Sequence, residues 1–186
     1  MIVLYIVLGL LACVFLYPHV RCLCKRLVGA AKLHRACHLA GARLFPAHPM
    51  WILGGKRGKA CDFYIATKGE VLAVKLFGVP RRPSVLLFTE GGTWRIRRFV
   101  AHSAWWATVC IPIEGKPRPL PHYDFTHRLP EAWKALPLHK ILLIHPTAME
   151  LRYAPSHGSE RILNDGEALH GMEVATLPHL LRLIAP

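Results

Sequence analysis

Acidic side chains are scarce in this sequence. Eleven Asp and Glu stand against 24 Lys and Arg, a net charge of +13 with the 12 histidines counted neutral. A field of that sign argues against cationic partners and favours anionic ones, either lipid headgroups or nucleic acid. No C-x-x-C pair or regular framework occurs among Cys13, Cys22, Cys24, Cys37, Cys61 and Cys110, so they read as reduced thiols in a cytosolic setting. Absent too are G-x-S-x-G, a P-loop and a dinucleotide fingerprint, which removes the standard signatures of serine hydrolysis and nucleotide binding. There is no internal repeat, hence no solenoid. Disorder throughout is excluded by an apolar content of 53%, and 186 residues leave room for one domain.

The longest uncharged run is at the start, where Ile2 to Tyr17 reads IVLYIVLGLLACVFLY. Extended through Val20 it reaches the ~17 to 25 residues needed to cross hydrocarbon. It is apolar on every face, unlike a helix lying on a soluble core. No Lys or Arg precedes it, so the basic n-region of a cleavable signal peptide is missing. Arg21, Lys25, Arg26, Lys32 and Arg35 follow closely, and the positive-inside bias then sets the N-terminus outside and the rest in the cytoplasm. The expected layout is a single-pass transmembrane anchor at 1–20, a basic amphipathic helix at 21–41 ending at Gly41, and one α/β domain at 42–186 with a proline-rich loop at 112–138.

Within that domain the run Met50 to Leu53 predicts a first strand. Cys61 to Gly78, CDFYIATKGEVLAVKLFG, predicts a hairpin around Lys68-Gly69. Counting outward from that turn pairs Ala66 with Val71, Ile65 with Leu72, Tyr64 with Ala73, Phe63 with Val74 and Asp62 with Lys75. Paired residues share a face, so Cys61, Phe63, Ile65, Leu72, Val74 and Leu76 form one apolar side, and Asp62, Lys75, Tyr64 and Ala73 the other. A second hairpin joins Ser84–Phe88 to Trp94–Phe99, with Arg95 and Arg97 on one face and Trp94 and Ile96 on the other. Further expectations are a short helix at Ala101–Ala107, a helical turn at Glu131–Leu136, strands at Lys140–His145, Met149–Tyr153 and Gly171–Val174, and a closing helix from Thr176 to Ile184.

The order helix, strand, hairpin with Asp then Lys, later strands and closing helix resembles the restriction-endonuclease-like, or PD-(D/E)XK, superfamily, which includes the nuclease-related NERD domain. The resemblance covers Lys25 to Phe99. It implies a mixed β-sheet flanked by helices and a site in which Asp62 is the first acid and Lys75 the lysine. The acid two residues before the lysine is Ala73 here. A catalytic Mg²⁺ or Mn²⁺ needs several hard oxygen ligands and usually more than one carboxylate. Glu70 is the nearest spare acid, and strand alternation puts it on the opposite face from Lys75. Catalysis by Asp62, Glu70 and Lys75 is therefore the alternative. The expectation is a degenerate fold that binds or scaffolds without catalysis and without a cofactor, its Asp62 and Lys75 forming a cross-strand ion pair.

Lys56, Arg57 and Lys59 in the first turn, and Arg81, Arg82, Arg95, Arg97 and Arg98 in the second hairpin, offer a positive surface. Beside a membrane anchor the expected partner is anionic lipid, ahead of nucleic acid or a protein. His34 and His38 lie four apart on a helix. The residues between them lack the Glu of an H-E-x-x-H zinc site, so no metal ligands are assigned.

Overall fold

A computed structural model describes residues 2–48, 60–78, 84–104, 107–146 and 148–185; the side chains of 2–16, 18, 19, 22 and 101–109 lie outside the description. The first element is one continuous helix, α1 (Ile2–Ala40). It stops at Gly41, whose φ of 65° closes a Schellman turn: the Gly41 amide donates to His38 O and the Ala42 amide to Cys37 O. The predicted anchor and basic helix are thus a single element. Among the described residues no helix is long and apolar enough to cross a membrane.

Among the described residues twelve strands follow, in two mixed sheets. The first contains β1 (Arg43–Pro46), β2 (Phe63–Ala66), β3 (Val71–Phe77), β8 (Leu138–Ile144), β11 (Ala168–Leu169) and β12 (Met172–Thr176), in the order β1-β2-β3-β8-β12-β11. β3, β8 and β12 run parallel; β1, β2 and β11 pair antiparallel. The second contains β4 (Ser84–Thr89), β5 (Thr93–Ala104), β6 (Ala107–Glu114), β9 (Glu150–Ala154) and β10 (Arg161–Ile162), in the order β10-β9-β4-β5-β6, with β7 (Arg118–Pro119) beside β5. The chain leaves the first sheet twice, after β3 and after β8, and each time enters the second sheet. The two entering strands, β4 and β9, lie parallel to one another.

The first hairpin has the predicted register, from Phe63↔Val74 to Ala66↔Val71. Its odd-numbered β2 residues pack with the helices: Phe63, Ile65, Leu72, Val74, Ile141, Leu143 and Ala175 meet Leu33 and Cys37 of α1, and Leu180 and Ile184 of the closing helix α2 (Leu177–Ile184). Its other face, with Tyr64, Ala66, Val71 and Ala73, packs against Leu86, Phe88, Trp94, Ile96 and Leu151 of the second sheet. The layers are therefore helices, sheet, sheet. Just past β8, His145 packs against α1 at Gly29, where a Cβ would stand 2.6 Å from His145 Nε2, the atom that bonds Lys25 O at 3.2 Å.

Several expectations are corrected. The sheet is not flanked by helices on both faces, because a second sheet occupies one of them. The short helix expected at Ala101–Ala107 is not formed by its described residues: 101–104 continue β5 and 107 opens β6, paired from Ala101↔Cys110 to Ala104↔Ala107. The proline-rich stretch is less irregular than expected, as β6 reaches Glu114 and β7 includes Pro119, while the helical turn expected at Glu131–Leu136 is a 3-10 turn over Glu131–Trp133. Cys61 packs with Tyr64 and Phe125 rather than with Phe63, because its amide bonds Asp124 O and turns the chain off the ladder. The strand expected at Met50–Leu53 lies outside the described residues, and the first described strand is Arg43–Pro46.

Candidate functional site

Asp62 stands one residue before β2 and Lys75 lies near the end of β3, on the face turned toward the second sheet. Their residues are 5% and 3% exposed, so both charges are buried. Lys75 Nζ lies 3.3 Å from Asp62 Oδ1 and 3.2 Å from Oδ2, and donates to Ala60 O at 2.7 Å. Two of the ammonium's three donors thus hydrogen-bond, to Asp62 Oδ1 and Ala60 O, while Oδ2 stays within ion-pair distance. Asp62 Oδ2 also accepts the Leu76 amide at 2.7 Å. Burial holds the Asp62 carboxyl above the ordinary carboxylate range, against the pull of Lys75 and the Leu76 amide. The same surroundings push the Cys61 thiol up to about 11.

The lid over this pair comes from the proline-rich loop, a contribution that sequence reasoning does not assign to the site. The Tyr123 ring lies 5.5 Å from Lys75 Nζ, a cation–π contact. Below it, Tyr64 Oη donates to His127 O at 2.6 Å and to Phe125 O at 3.2 Å, tying the loop to β2. Asp124 caps the loop's own turn through the Thr126 and His127 amides. The cluster Tyr123-Asp124-Phe125 between His122 and His127 is the available signal in the sequence; which strands it covers is not encoded locally.

Glu70 is not brought to this pair. It sits across the turn from Thr67, five ladder positions from Asp62, or about 17 Å along the strand. Its carboxylate is instead 3.7 Å from His139 Nδ1. His139 Nε2 in turn reaches Glu173 at 2.6 Å, and His179 Nε2 reaches the other Glu173 oxygen at 2.7 Å. Among the described residues no group of three His, Cys, Asp or Glu side chains is placed to hold a metal ion. A Mg²⁺ or Mn²⁺ at Asp62 would meet one carboxylate already holding an ammonium, with Ala73 where a second ligand is needed. These residues do not fit a catalytic divalent metal.

The basic residues divide. Arg97 is bonded to Glu114 and Glu160, Arg95 pairs with Glu114, and Arg152 pairs with Glu150. This network covers Val85 and Leu87, which share the face of Arg97 and Arg95 and are buried. Arg95 and Arg97 are thus largely neutralised by carboxylates of their own chain. Arg98 is exposed, with its alternation opposite to theirs. Lys56, Arg57, Lys59, Arg81 and Arg82 lie outside the described residues. His34 and His38 are both exposed on α1.

Comparison of the chain with protein-family models, with curated proteins and with solved structures finds no match. The class that fold and site define is an α/β domain of two mixed sheets with few helices. Its distinguishing feature is a closed, buried Asp–Lys pair under an aromatic loop.

Proposed function

We propose that this chain is a membrane-held binding or scaffolding domain whose endonuclease-like hairpin carries no catalysis. The observation that carries the reading is the state of Asp62: one carboxylate spent on Lys75 and the Leu76 amide, with Glu70 about 17 Å away. The alternative, a metal-dependent nuclease working through Asp62, Glu70 and Lys75, requires that pair to open and a second carboxylate to be found. Membrane attachment is supported by the uncharged run from Ile2 to Tyr17 at the head of α1 and by the basic residues after Val20, which favour a cytoplasmic domain. Anionic lipid is the partner, held by exposed charge at Arg98 and by Lys56, Arg57, Lys59, Arg81 and Arg82.

Two measurements test this. The full chain should remain in the membrane pellet after alkaline carbonate washing, and a reporter fused after Pro186 should be active only in the cytoplasm. The domain surface should bind anionic vesicles with an affinity that falls as salt rises, because screening acts within ~8 Å at physiological ionic strength. Neutralising Arg81, Arg82 and Arg98 should weaken that attraction roughly fivefold per well-placed residue. Extraction by carbonate, or binding indifferent to both salt and these substitutions, contradicts the reading.

A further inference from the structure

β5 is longer than the sheet that holds it. β4 pairs with it only as far as Ser84↔Arg98, whereas β6 continues beside it from Phe99↔Pro112 to Ala104↔Ala107. Those six ladder positions extend about 20 Å at ~3.4 Å per residue. Among the described residues no third strand pairs with this arm. It is also the least charged part of the domain, with no Asp, Glu, Lys or Arg from Phe99 to Ile113. Among its described side chains, Phe99, Val100, Ile111 and Ile113 are 38–52% exposed. Val100, Ile111 and Ile113 share one face by register, with Arg98 at its base.

An arm of two strands cannot be stable on its own account, and an apolar surface left in water marks a contact. We propose that this arm is a second membrane contact, the apolar face of Val100, Ile111 and Ile113 seated in the interfacial zone of an anionic phospholipid bilayer. The proposal deepens the membrane reading above and rests on it for the choice of lipid as occupant. Charge complementarity argues for that occupant: a stretch from Phe99 to Ile113 without Asp, Glu, Lys or Arg, beside exposed Arg98 on a chain of net charge +13, matches acyl chains below and phosphates above. Depth follows from the backbone. Among the described residues no strand lies against either outer edge of the arm, and hydrocarbon does not satisfy N–H and C=O groups on such edges. The arm therefore stops in the interface, ~5 to 10 Å deep, where water still reaches its edges.

Cys110, exposed and opposite Ala101 in the arm, supplies the test. In the full chain, Cys13, Cys22 and Cys24 are replaced by Ser and the buried Cys37 and Cys61 are kept. Cys110 is labelled with an environment-sensitive fluorophore, and the protein is reconstituted into phosphatidylcholine–phosphatidylglycerol vesicles. The emission should shift to the blue and be quenched more by lipid brominated near the headgroup end of its acyl chains than near the methyl end. Ile111→Asp with Ile113→Asp should abolish the shift while the chain still sediments with the vesicles. A water-like probe on a chain that does sediment overturns the arm contact and leaves the anchor standing. A chain that does not sediment overturns both. A blue shift that grows with protein-to-lipid ratio, untouched by either brominated lipid, assigns the arm to a second copy and overturns the lipid contact.

Discussion

Lys75→Met should lose about 3 to 5 kcal/mol of stability at pH 7, and part of that loss should be recovered as the pH is lowered toward 5. The substitution leaves the Asp62 carboxylate buried with the Leu76 amide as its remaining partner. Its pKa, already held up by burial, rises further without the ammonium. An acid whose folded pKa exceeds its unfolded value of ~3.9 binds a proton on folding between the two, so its penalty shrinks as pH falls through the folded value. Asp62→Asn should cost a similar amount without that recovery, because it removes the carboxylate whose protonation supplies it. The carboxamide oxygen in that variant would still accept the Leu76 amide. The double substitution Asp62→Asn with Lys75→Met should therefore lie within about 1.5 kcal/mol of the native chain, since exchanging a buried pair for uncharged groups is often neutral or better. Chemical denaturation of the four proteins at pH 7 and pH 5 reads all three statements. Additive losses in the double variant would mean that the two charges do not stabilise one another.

Phe63→Ala should cost about 3 to 5 kcal/mol. Phe63 is fully buried between the first sheet and α1, in the layer with Leu33, Ile65, Leu72 and Val74. Removing its ring opens a cavity on the side where an existing one, about 20 Å³, is lined by Gly29, Leu33, Phe63 and His145. The backbone of two packed elements prevents that space from collapsing. Phe99→Ala, at 44% exposure in the arm, should change stability by no more than about 0.5 kcal/mol. The contrast separates core from contact surface: equal costs at the two positions would place Phe99 in a packed interior that the fold does not give it.

What is legible in the sequence is local. The turn at Lys68-Gly69 fixes the hairpin register, because a two-residue loop leaves one way to pair the strands and alternation then sorts the faces. Gly41 as a helix stop is readable because it rests on the backbone freedom of one residue, and Pro178 marks the start of the closing helix because its fixed φ suits a first turn. The second sheet is not legible. Its strands pair β4 with β9 across more than sixty residues, and nothing in Val85–Thr89 names Glu150–Ala154 as a partner. A short helix is expected at Ala101–Ala107, yet the ladder with β6 decides the conformation of residues 101–104 and of Ala107. In the site, the Asp62–Lys75 pair follows from register, but Tyr123 above it does not, because loop packing depends on tertiary contacts alone. Arg95 and Arg97 read as free surface charge, whereas Glu114 and Glu160, distant in sequence, stand beside them in the fold.

The claim that Asp62 and Lys75 form a structural pair, and not a metal-dependent active site, is tested most directly by cleavage. Full-length protein should be incubated with single- and double-stranded DNA and RNA in Mg²⁺ and in Mn²⁺, beside the Asp62→Asn, Lys75→Met double variant, whose fold the stability measurements establish. The account predicts no cleavage by either protein above the buffer control. Metal-dependent cleavage by the native chain that disappears in the folded double variant would contradict it and make Asp62 and Lys75 catalytic.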